Sequence, residues 1–152
     1  MDKQAQLIGS FRGVINKLEW LNKQKMELAL AGYKSSEIHC IEYIGKNADS
    51  NVTKLAEAFY MTSGAISKLS KKLIAKGLLK SYQKPENKKE VYFRLTEQGR
   101  AIFEIHEGLH EEFRNRDNSV FAQISEAQMA DMLSFAKKYS NHLDAEIKKI
   151  EI

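Results

Sequence analysis

Apolar residues recur along most of the chain at the three- and four-residue spacing that is typical of amphipathic helices. The first stripe predicts one long helix over residues 4–30, and its members are Leu7, Phe11, Val14, Leu18, Leu21 and Leu28. A long terminal helix has little of its own domain to pack against. We therefore expect part of this stripe to lie in the core and part to face a second subunit.

Three shorter helices are predicted next. Either Ser35 or Ser36 is expected to cap the first, because a hydroxyl can accept a hydrogen bond from the free backbone N–H groups of a first turn. Asn51 is expected to cap the second in the same way, and Thr62 or Ser63 the third. The second and third are separated by only a few residues, so together they predict a helix-turn-helix.

The period then changes from that of a helix to that of a strand. Residues 79–84 and 91–95 each alternate between two kinds of side chain, and the segment between them contains Pro85 and Asn87. Two alternating runs around such a turn predict a β-hairpin. Its tip carries Lys84, Lys88 and Lys89.

Two long helices are predicted after the hairpin. Thr96 is expected to cap the first, whose apolar pattern is interrupted over residues 114–119. Ser125 and Gln128 form an S/T-x-x-Q capping box for the last helix, which should extend almost to Ile152. The fold class is therefore mainly α with one small β-hairpin.

The charge is distributed unevenly. The chain has 152 residues, a net charge of +4 and 43% hydrophobic residues, as expected of a globular protein. Residues 62–95 carry nine basic and two acidic side chains. Residues 1–61 carry eight basic and seven acidic side chains, and residues 96–152 carry seven basic and eleven acidic ones. No acid occurs from Ala58 to Pro85. A block of one sign predicts a polyanionic partner such as nucleic acid.

The second helix of the helix-turn-helix is the predicted reader of that partner. Steps of 100° per residue place Ala65, Ile66, Leu69 and Leu73 on one side and Gly64, Ser67, Lys68, Lys71 and Ala75 on the other. Small residues permit close approach, hydroxyls hydrogen-bond and lysines attract phosphate, as a helix in a major groove requires. The predicted DNA contacts are Asn51, Thr53, Lys54, Thr62, Ser63, Gly64, Ser67, Lys68, Lys71, Lys72, Lys84, Asn87, Lys88 and Lys89.

The order of these elements resembles the MarR family of bacterial transcriptional regulators over essentially the whole chain. The resemblance is most specific in residues 66–100, at Lys76-Gly77, Leu78-Leu79, Pro85, Lys88-Lys89, Leu95-Thr96 and Gly99-Arg100. The wing tip departs from the family, which usually has Asp-Arg-Arg where this chain has Asn87-Lys88-Lys89. Arginine suits a narrow minor groove better than lysine does, so this wing is expected to contact the DNA backbone.

The resemblance implies a winged helix-turn-helix homodimer on a pseudo-palindromic operator of double-stranded DNA, usually as a repressor that a small effector releases. It implies an N-terminal dimerisation helix in residues 1–34, the DNA-binding domain in residues 35–98 and C-terminal dimerisation helices in residues 99–152. No apolar run is long enough to span a membrane and no signal peptide is apparent, so we expect a cytoplasmic protein.

Three features are candidates for the effector site. His106 and His110 lie four residues apart on one predicted helix face, and the resemblance brings His39 near them. These three histidines suit Zn²⁺, with Glu19, Glu107 or Glu111 completing the shell, or they line a cleft for a small organic or acyl ligand.

The second feature is an aromatic set that either lines this cleft or packs in the core: Trp20, Tyr33, Tyr43, Phe103 and Phe113. The effector pocket is accordingly predicted at His39, Tyr43, Phe103, His106 and His110. The third feature is the single cysteine, Cys40, which lies among apolar residues and is expected to be an inert thiol rather than a redox sensor.

Two other classes of function are alternatives to a DNA-binding regulator. An enzyme is not expected, because the chain contains no glycine-rich phosphate loop and no nucleophile elbow. Residues 106–110, HEGLH, have the spacing of a His-Glu-x-x-His motif and are the one segment that suggests a zinc hydrolase. A winged-helix module that binds only proteins is the other alternative. The acid-free stretch argues against it, because protein interfaces are usually depleted in lysine.

Overall fold

The computed structural model describes residues 2–150, and the fold is mainly helical with one antiparallel hairpin, as predicted. Within those residues there are six helices and two strands. Their bounds are α1 Lys3–Ala29, α2 Ser35–Lys46, α3 Val52–Phe59, α4 Ser63–Ala75, β1 Leu79–Lys84, β2 Asn87–Leu95, α5 Glu97–Phe121 and α6 Glu126–Ile150. None of the helices among the described residues is long and apolar enough to cross a membrane. The predicted end of the last helix, near Ile152, falls outside the described residues.

The chain divides into two compact units between Glu112 and Phe113, inside α5. The first unit contains α1 to α4, the hairpin and the first part of α5. The second contains the rest of α5 and α6.

The core of the first unit lies where α2, α3, α4 and the hairpin meet. Its fully or almost fully buried residues are Cys40, Ile41, Ile44, Leu55, Ile66, Leu73, Leu78, Leu79 and Phe93. Burial of these side chains holds the helix-turn-helix against the hairpin, because removal of apolar surface from water is the dominant favourable contribution to folding.

Most of the predicted helix caps are confirmed. Asn51 Oδ1 accepts a hydrogen bond from Lys54 N at 2.9 Å, and Thr62 Oγ1 accepts one from Ala65 N at 3.1 Å. The capping box is reciprocal, since Ser125 Oγ accepts from Gln128 N and Gln128 Oε1 accepts from Ser125 N. Each cap satisfies a backbone donor that the first turn of a helix leaves without an intrahelical partner.

The predicted cap of α2 was wrong. Neither Ser35 nor Ser36 is the N-cap, which is Lys34, a residue whose side chain has no acceptor. Glu37 takes over this role from inside the helix, because its Oε1 accepts a hydrogen bond from Lys34 N at 2.9 Å. The carboxylate closes the first turn, so a hydroxyl at the cap is not required.

The apolar pattern is interrupted over residues 114–119, but the α5 helix itself continues to Phe121. The pattern is interrupted because the residues from Arg114 to Arg116 are exposed. Loss of the pattern therefore marks the end of a buried face and not the end of the helix.

The apolar stripe of α1 is not part of the core of the single chain. No described residue of α1 is buried, and Phe11, Val14 and Trp20 are 46%, 61% and 66% exposed. The expectation that part of this stripe would pack in the core was therefore wrong for the single chain. In α6, likewise, the described residues include none that is buried.

The hairpin is joined to both of its neighbours along the chain. Leu79 pairs with Leu95 and Ser81 with Phe93, and Phe93 N donates a hydrogen bond to Ser50 O at 2.8 Å just before α3. At the other end, Thr96 Oγ1 donates to Gly77 O at 2.6 Å and accepts from Gly99 N at 3.0 Å. Thr96 thus caps α5, as predicted, and fixes the turn that leads out of α4.

Candidate nucleic-acid interface

The α4 helix has one buried face and one exposed basic face. Ile66 and Leu73 are fully buried against the core, whereas Gly64, Lys68 and Lys71 are exposed. The remaining predicted contacts on this helix and its cap, Thr62, Ser63 and Lys72, are exposed as well, and Ser67 is half-buried. We give the name basic face to the set of Ser63, Gly64, Ser67, Lys68, Lys71 and Lys72. It combines hydroxyls, cations and a side-chain-free position, which together suit a phosphate-lined groove.

The predicted contacts around the start of α3 are partly engaged within the chain. Asn51 caps the helix, and its Nδ2 donates to Glu90 Oε2 at 3.4 Å. Lys54 Nζ donates to Asp49 O at 3.0 Å, while Thr53 is exposed. Asn51 therefore joins α3 to the hairpin, which we call the wing.

Asp49 is the residue that sequence reasoning missed in this region. Its carboxylate accepts hydrogen bonds from Tyr82 Oη at 2.6 Å and from Lys84 Nζ at 2.7 Å. Lys84 Nζ also lies 4.9 Å from the centre of the Tyr92 ring. These bonds hold the pKa of Asp49 below its ordinary value and that of Lys84 above it. Lys84, predicted as a phosphate contact, is thus held in an ion pair that ties the wing to the segment before α3.

The side-chain amide of Asn87 orders the tip of the wing. Asn87 Oδ1 accepts a hydrogen bond from Lys89 N at 3.2 Å, and Gln83 Nε2 donates to Lys88 O at 2.7 Å. An asparagine can form this local turn as an aspartate does. The side chains of Lys88 and Lys89 are exposed, so the tip presents two cations on a fixed backbone.

A buried ion pair joins α4 to α2. The Glu37 side chain is 1% exposed, and its Oε2 accepts a hydrogen bond from Lys76 Nζ at 2.8 Å. Burial opposes ionisation of this carboxyl, but the bonds from Lys76 and from Lys34 N outweigh it, so the pKa of Glu37 lies below its usual value. Lys72 also belongs to α4, and repulsion from Lys34 lowers the pKa of its ammonium group. Sequence reasoning placed Glu37 only in a first helical turn and did not find its partner.

A cavity of about 820 Å³ lies between α1, the start of α2 and α5. His39, His106 and His110 all line it, as do Tyr33 and Lys34. Its wall is mixed in character: the apolar part consists of Ile15, Leu18, Met26, Leu30 and Ile38, and the lysines are Lys23 and Lys34.

Two of the residues predicted for this pocket do not line it. Tyr43 and Phe103 pack against the core, and the Tyr43 ring meets Phe59 edge-on at a centroid distance of 5.7 Å. Phe103 lies directly over Gly45, where a Cβ atom would come within 2.4 Å of the ring. Of the other aromatic candidates in the first unit, Tyr33 lines the cavity and Trp20 is exposed.

The histidines are arranged differently from the prediction. His106 Nε2 lies 3.1 Å from His110 Nε2, and His106 Nδ1 lies 2.8 Å from Glu42 Oε2. Glu42, His106 and His110 each offer a donor atom within 4.8 Å of the other two. His39 is exposed and is not in this group. Burial lowers the pKa of His106, against the opposing charge of Glu42.

Cys40 is fully buried in the core. Burial raises the pKa of its thiol to about 12, which leaves it protonated at neutral pH. This is the environment of an inert core cysteine and not of a reactive one.

The helix-turn-helix, the wing and the basic face define a winged helix-turn-helix protein. A family model described as the MarR family matches residues 34–91. The HTH-type transcriptional regulator PchR of Bacillus subtilis (strain 168) is 34% identical over 111 residues, which cover 73% of this chain and 66% of PchR. The uncharacterized HTH-type transcriptional regulator YvnA of the same organism is 25% identical over 146 residues, or 88% of this chain and 91% of YvnA.

A solved structure of Streptococcus pneumoniae FabT in complex with DNA has the same fold. It superposes with a TM-score of 0.78 at 18% identity and covers 94% of this chain and 99% of FabT. The chain spans just under two thirds of the length of PchR. The resemblance to the MarR family of transcriptional regulators that the sequence predicted is therefore confirmed.

Proposed function

We propose that the chain is a sequence-specific DNA-binding regulator of transcription that acts as a homodimer in the cytoplasm. The observation that carries the proposal is the basic face of α4, which is exposed beside a wing tip that presents Lys88 and Lys89. No acid occurs in residues 58–85 to weaken that field. Such a surface attracts the phosphates of duplex DNA and admits the helix to a major groove.

Direct reading of bases is assigned to the part of α4 that comes first along the chain. Ser63, Gly64, Ser67 and Lys68 lie at or near its first two turns, and the start of a recognition helix is the part that reaches base edges. The exposed Lys71, Lys72, Lys88 and Lys89 supply contacts to the backbone. Lys54 and Lys84 are given a supporting role, since Asp49 already engages both.

Dimerisation is assigned to the long helices at the two ends of the chain. Residues 1–34 and 99–152 are the proposed dimerising segments, on either side of a DNA-binding domain in residues 35–98. The exposed apolar side chains support this division: on α1 they are Leu7, Phe11, Val14, Leu18, Trp20 and Leu21, and on α6 Met132, Leu133, Phe135 and Leu143. Stripes of this size are unusual on monomeric proteins and are typical of subunit interfaces. Two copies related by a two-fold axis then match a pseudo-palindromic operator.

The regulator is proposed to be a repressor that releases DNA when an effector enters the cavity bounded by α1, α2 and α5. The cavity lies against Lys34 and Tyr33, and Lys76 at the end of α4 lies 5.5 Å from the centre of the Tyr33 ring. A ligand that moves this wall would therefore displace the end of the recognition helix. The proposed role requires no catalysis.

The proposal is tested by fluorescence anisotropy of the full chain on duplex DNA. The duplexes are the region upstream of its own gene, sequences selected by the protein from a random pool, and scrambled controls of equal composition. We expect a preference for the upstream or the selected duplex, with affinity that falls steeply as salt is raised. If no upstream or selected duplex bound better than its scrambled control, the proposal would be wrong.

A further inference from the structure

We infer that Glu42, His106 and His110 form a binding site for a divalent transition-metal ion such as Zn²⁺, which links α2 to α5. The site lies in the first unit of the chain. None of its three residues belongs to α3, α4 or the wing, so the site is separate from the proposed DNA contacts on those elements. A regulatory role for this site rests on the proposed function, whereas metal binding by the three residues does not.

Two of the distances between donor atoms are those expected around such an ion, and all three donor atoms lie within 4.8 Å of one another. Zinc–nitrogen and zinc–oxygen bonds of about 2.1 Å in a tetrahedron place neighbouring donors about 3.4 Å apart. His110 Nε2 lies 3.1 Å from His106 Nε2 and 3.5 Å from Glu42 Oε2. The i,i+4 spacing puts both imidazoles on one face of α5, which is how helices commonly present a pair of histidine ligands.

The chemistry of the donors selects the class of ion. Two imidazoles and one carboxylate suit zinc, cobalt and nickel, whereas calcium and magnesium prefer shells made only of oxygen. Three protein ligands also leave a fourth position for water or a small ligand. That position has room, because His106 and His110 both line the cavity.

The neighbouring groups are arranged so that the carboxylate can take part. Lys46 Nζ lies 3.6 Å from Glu42 Oε1 and 3.3 Å from Glu107 Oε1, so the lysine faces one carboxylate oxygen of Glu42 and leaves Oε2 towards the histidines. His106 is 3% exposed, and its Nδ1 has no aligned hydrogen-bond partner among the described residues despite the 2.8 Å approach of Glu42. The 2.8 Å contact of Glu42 with His106 Nδ1 leaves His106 Nε2 towards His110.

Binding here would couple to the recognition helix through α2. Glu42 lies on the same helix as Glu37, whose ion pair with Lys76 ends at α4. An ion that fixes α2 against α5 therefore favours one position of α2, and α2 is the helix to which the end of α4 is attached by this ion pair.

The test is cobalt and zinc binding to the full chain after it has been stripped with a chelator. Titration with Co²⁺ should give one equivalent per chain and visible ligand-field absorption, and Zn²⁺ should displace it. Glu42→Gln and His110→Ala should each weaken binding by at least about tenfold. His110 and Glu42 are the decisive positions because their side chains are 45% and 28% exposed, so replacement is compatible with folding. Circular dichroism of each variant checks the fold.

Two histidine variants serve as controls. His39→Ala tests the ligand set predicted from sequence, and His142→Ala on α6 removes a histidine from another element. Both should bind cobalt as the unmodified chain does. Loss of binding in His39→Ala equal to that in His110→Ala would overturn the proposed ligand set. Stoichiometry well below one, or equal binding by Glu42→Gln, His110→Ala and the unmodified chain, would overturn the site. Because absorption is read without DNA, these results are independent of whether the chain binds an operator.

Discussion

The ammonium group of Lys76 lies 2.8 Å from the buried carboxylate of Glu37, so one ion pair joins the end of the recognition helix to the start of α2. Lys76 is the C-cap of α4, and Glu37 closes the first turn of α2 through Lys34 N. The carboxylate is almost completely buried, whereas the lysine is one-third exposed. The pair therefore positions the recognition helix against the wall of the cavity.

Replacing Lys76 should destabilise the fold in a pH-dependent way. We expect Lys76→Met to cost about 3 kcal/mol of unfolding free energy at pH 7, because it leaves a buried carboxylate unpaired. The pKa of Glu37 is lowered in the folded chain, so the pair contributes stability above the unfolded pKa of about 4.3 and loses it as pH falls through the folded value. Urea unfolding at pH 7 and pH 3 measures this. A loss of the same size at both pH values would mean that the lysine acts through packing alone, and Lys80→Met, an exposed lysine on β1, is the control.

Two glycines of α5 should respond in opposite directions to the same substitution. A Cβ at Gly99 would lie 2.1 Å from Leu78 O, whereas nothing lies within 4 Å of one at Gly108. Gly99→Ala is expected to cost about 2 kcal/mol or more through overpacking. Gly108→Ala should stabilise the chain by about 0.5–1 kcal/mol, because it removes backbone freedom from the unfolded state. Thermal unfolding of the pair decides this, and equal effects would contradict the close approach of α5 to Leu78.

Cys40 should be unreactive in the folded protein. With its pKa raised to about 12 by burial, its thiolate fraction at pH 7 is roughly three thousandfold smaller than that of an ordinary cysteine near 8.5. A chromogenic disulfide reagent should therefore label the chain rapidly only in denaturant, and peroxide should leave DNA affinity unchanged. Labelling of the native protein as fast as that of the unfolded one would show that the thiol is accessible.

Lys68 should contribute to the choice of sequence. It is exposed on the basic face, one turn beyond Gly64. We expect Lys68→Ala to lower operator affinity by roughly 1–3 kcal/mol and to relax the preference at one base pair. Competition with duplexes that each carry one altered base pair measures both effects. If affinity fell equally on operator and random DNA, Lys68 would contact only phosphate.

Local features of the fold could be predicted from sequence, because their partners lie within four residues. The caps at Asn51, Thr62 and Ser125 depend on a side chain and a nearby backbone N–H, and all three were found. The burial of Ile66 and Leu73 followed from helical spacing in the same way.

Features that depend on distant pairing could not be predicted. Glu37 and Lys76 are 39 residues apart, and the partner of Lys84 is Asp49, 35 residues earlier. The sequence likewise does not show which residues of α2 face α5. The group around His106 includes Glu42 and not the expected His39 for this reason. Periodicity also reports burial and not helix length, which is why the apolar pattern of α5 is interrupted at residues 114–119 while the helix continues to Phe121.

The central claim is that α4 and the wing tip bind the DNA backbone, and the salt dependence of binding tests it most directly. The measurement compares the slope of log affinity against log salt for three proteins on one selected duplex. They are the unmodified chain, Lys71→Ala/Lys88→Ala, and a control, Lys137→Ala/Lys138→Ala, which removes the same charge from exposed positions of α6.

Each lysine that contacts phosphate contributes about one to the magnitude of that slope. Because two copies of the chain bind one operator, the Lys71→Ala/Lys88→Ala variant removes these contacts twice and should show a slope smaller by about four, and the α6 control should match the unmodified chain. Equal slopes for the two double variants would mean that the basic face and the wing tip do not contact the DNA backbone, and would contradict the proposed function.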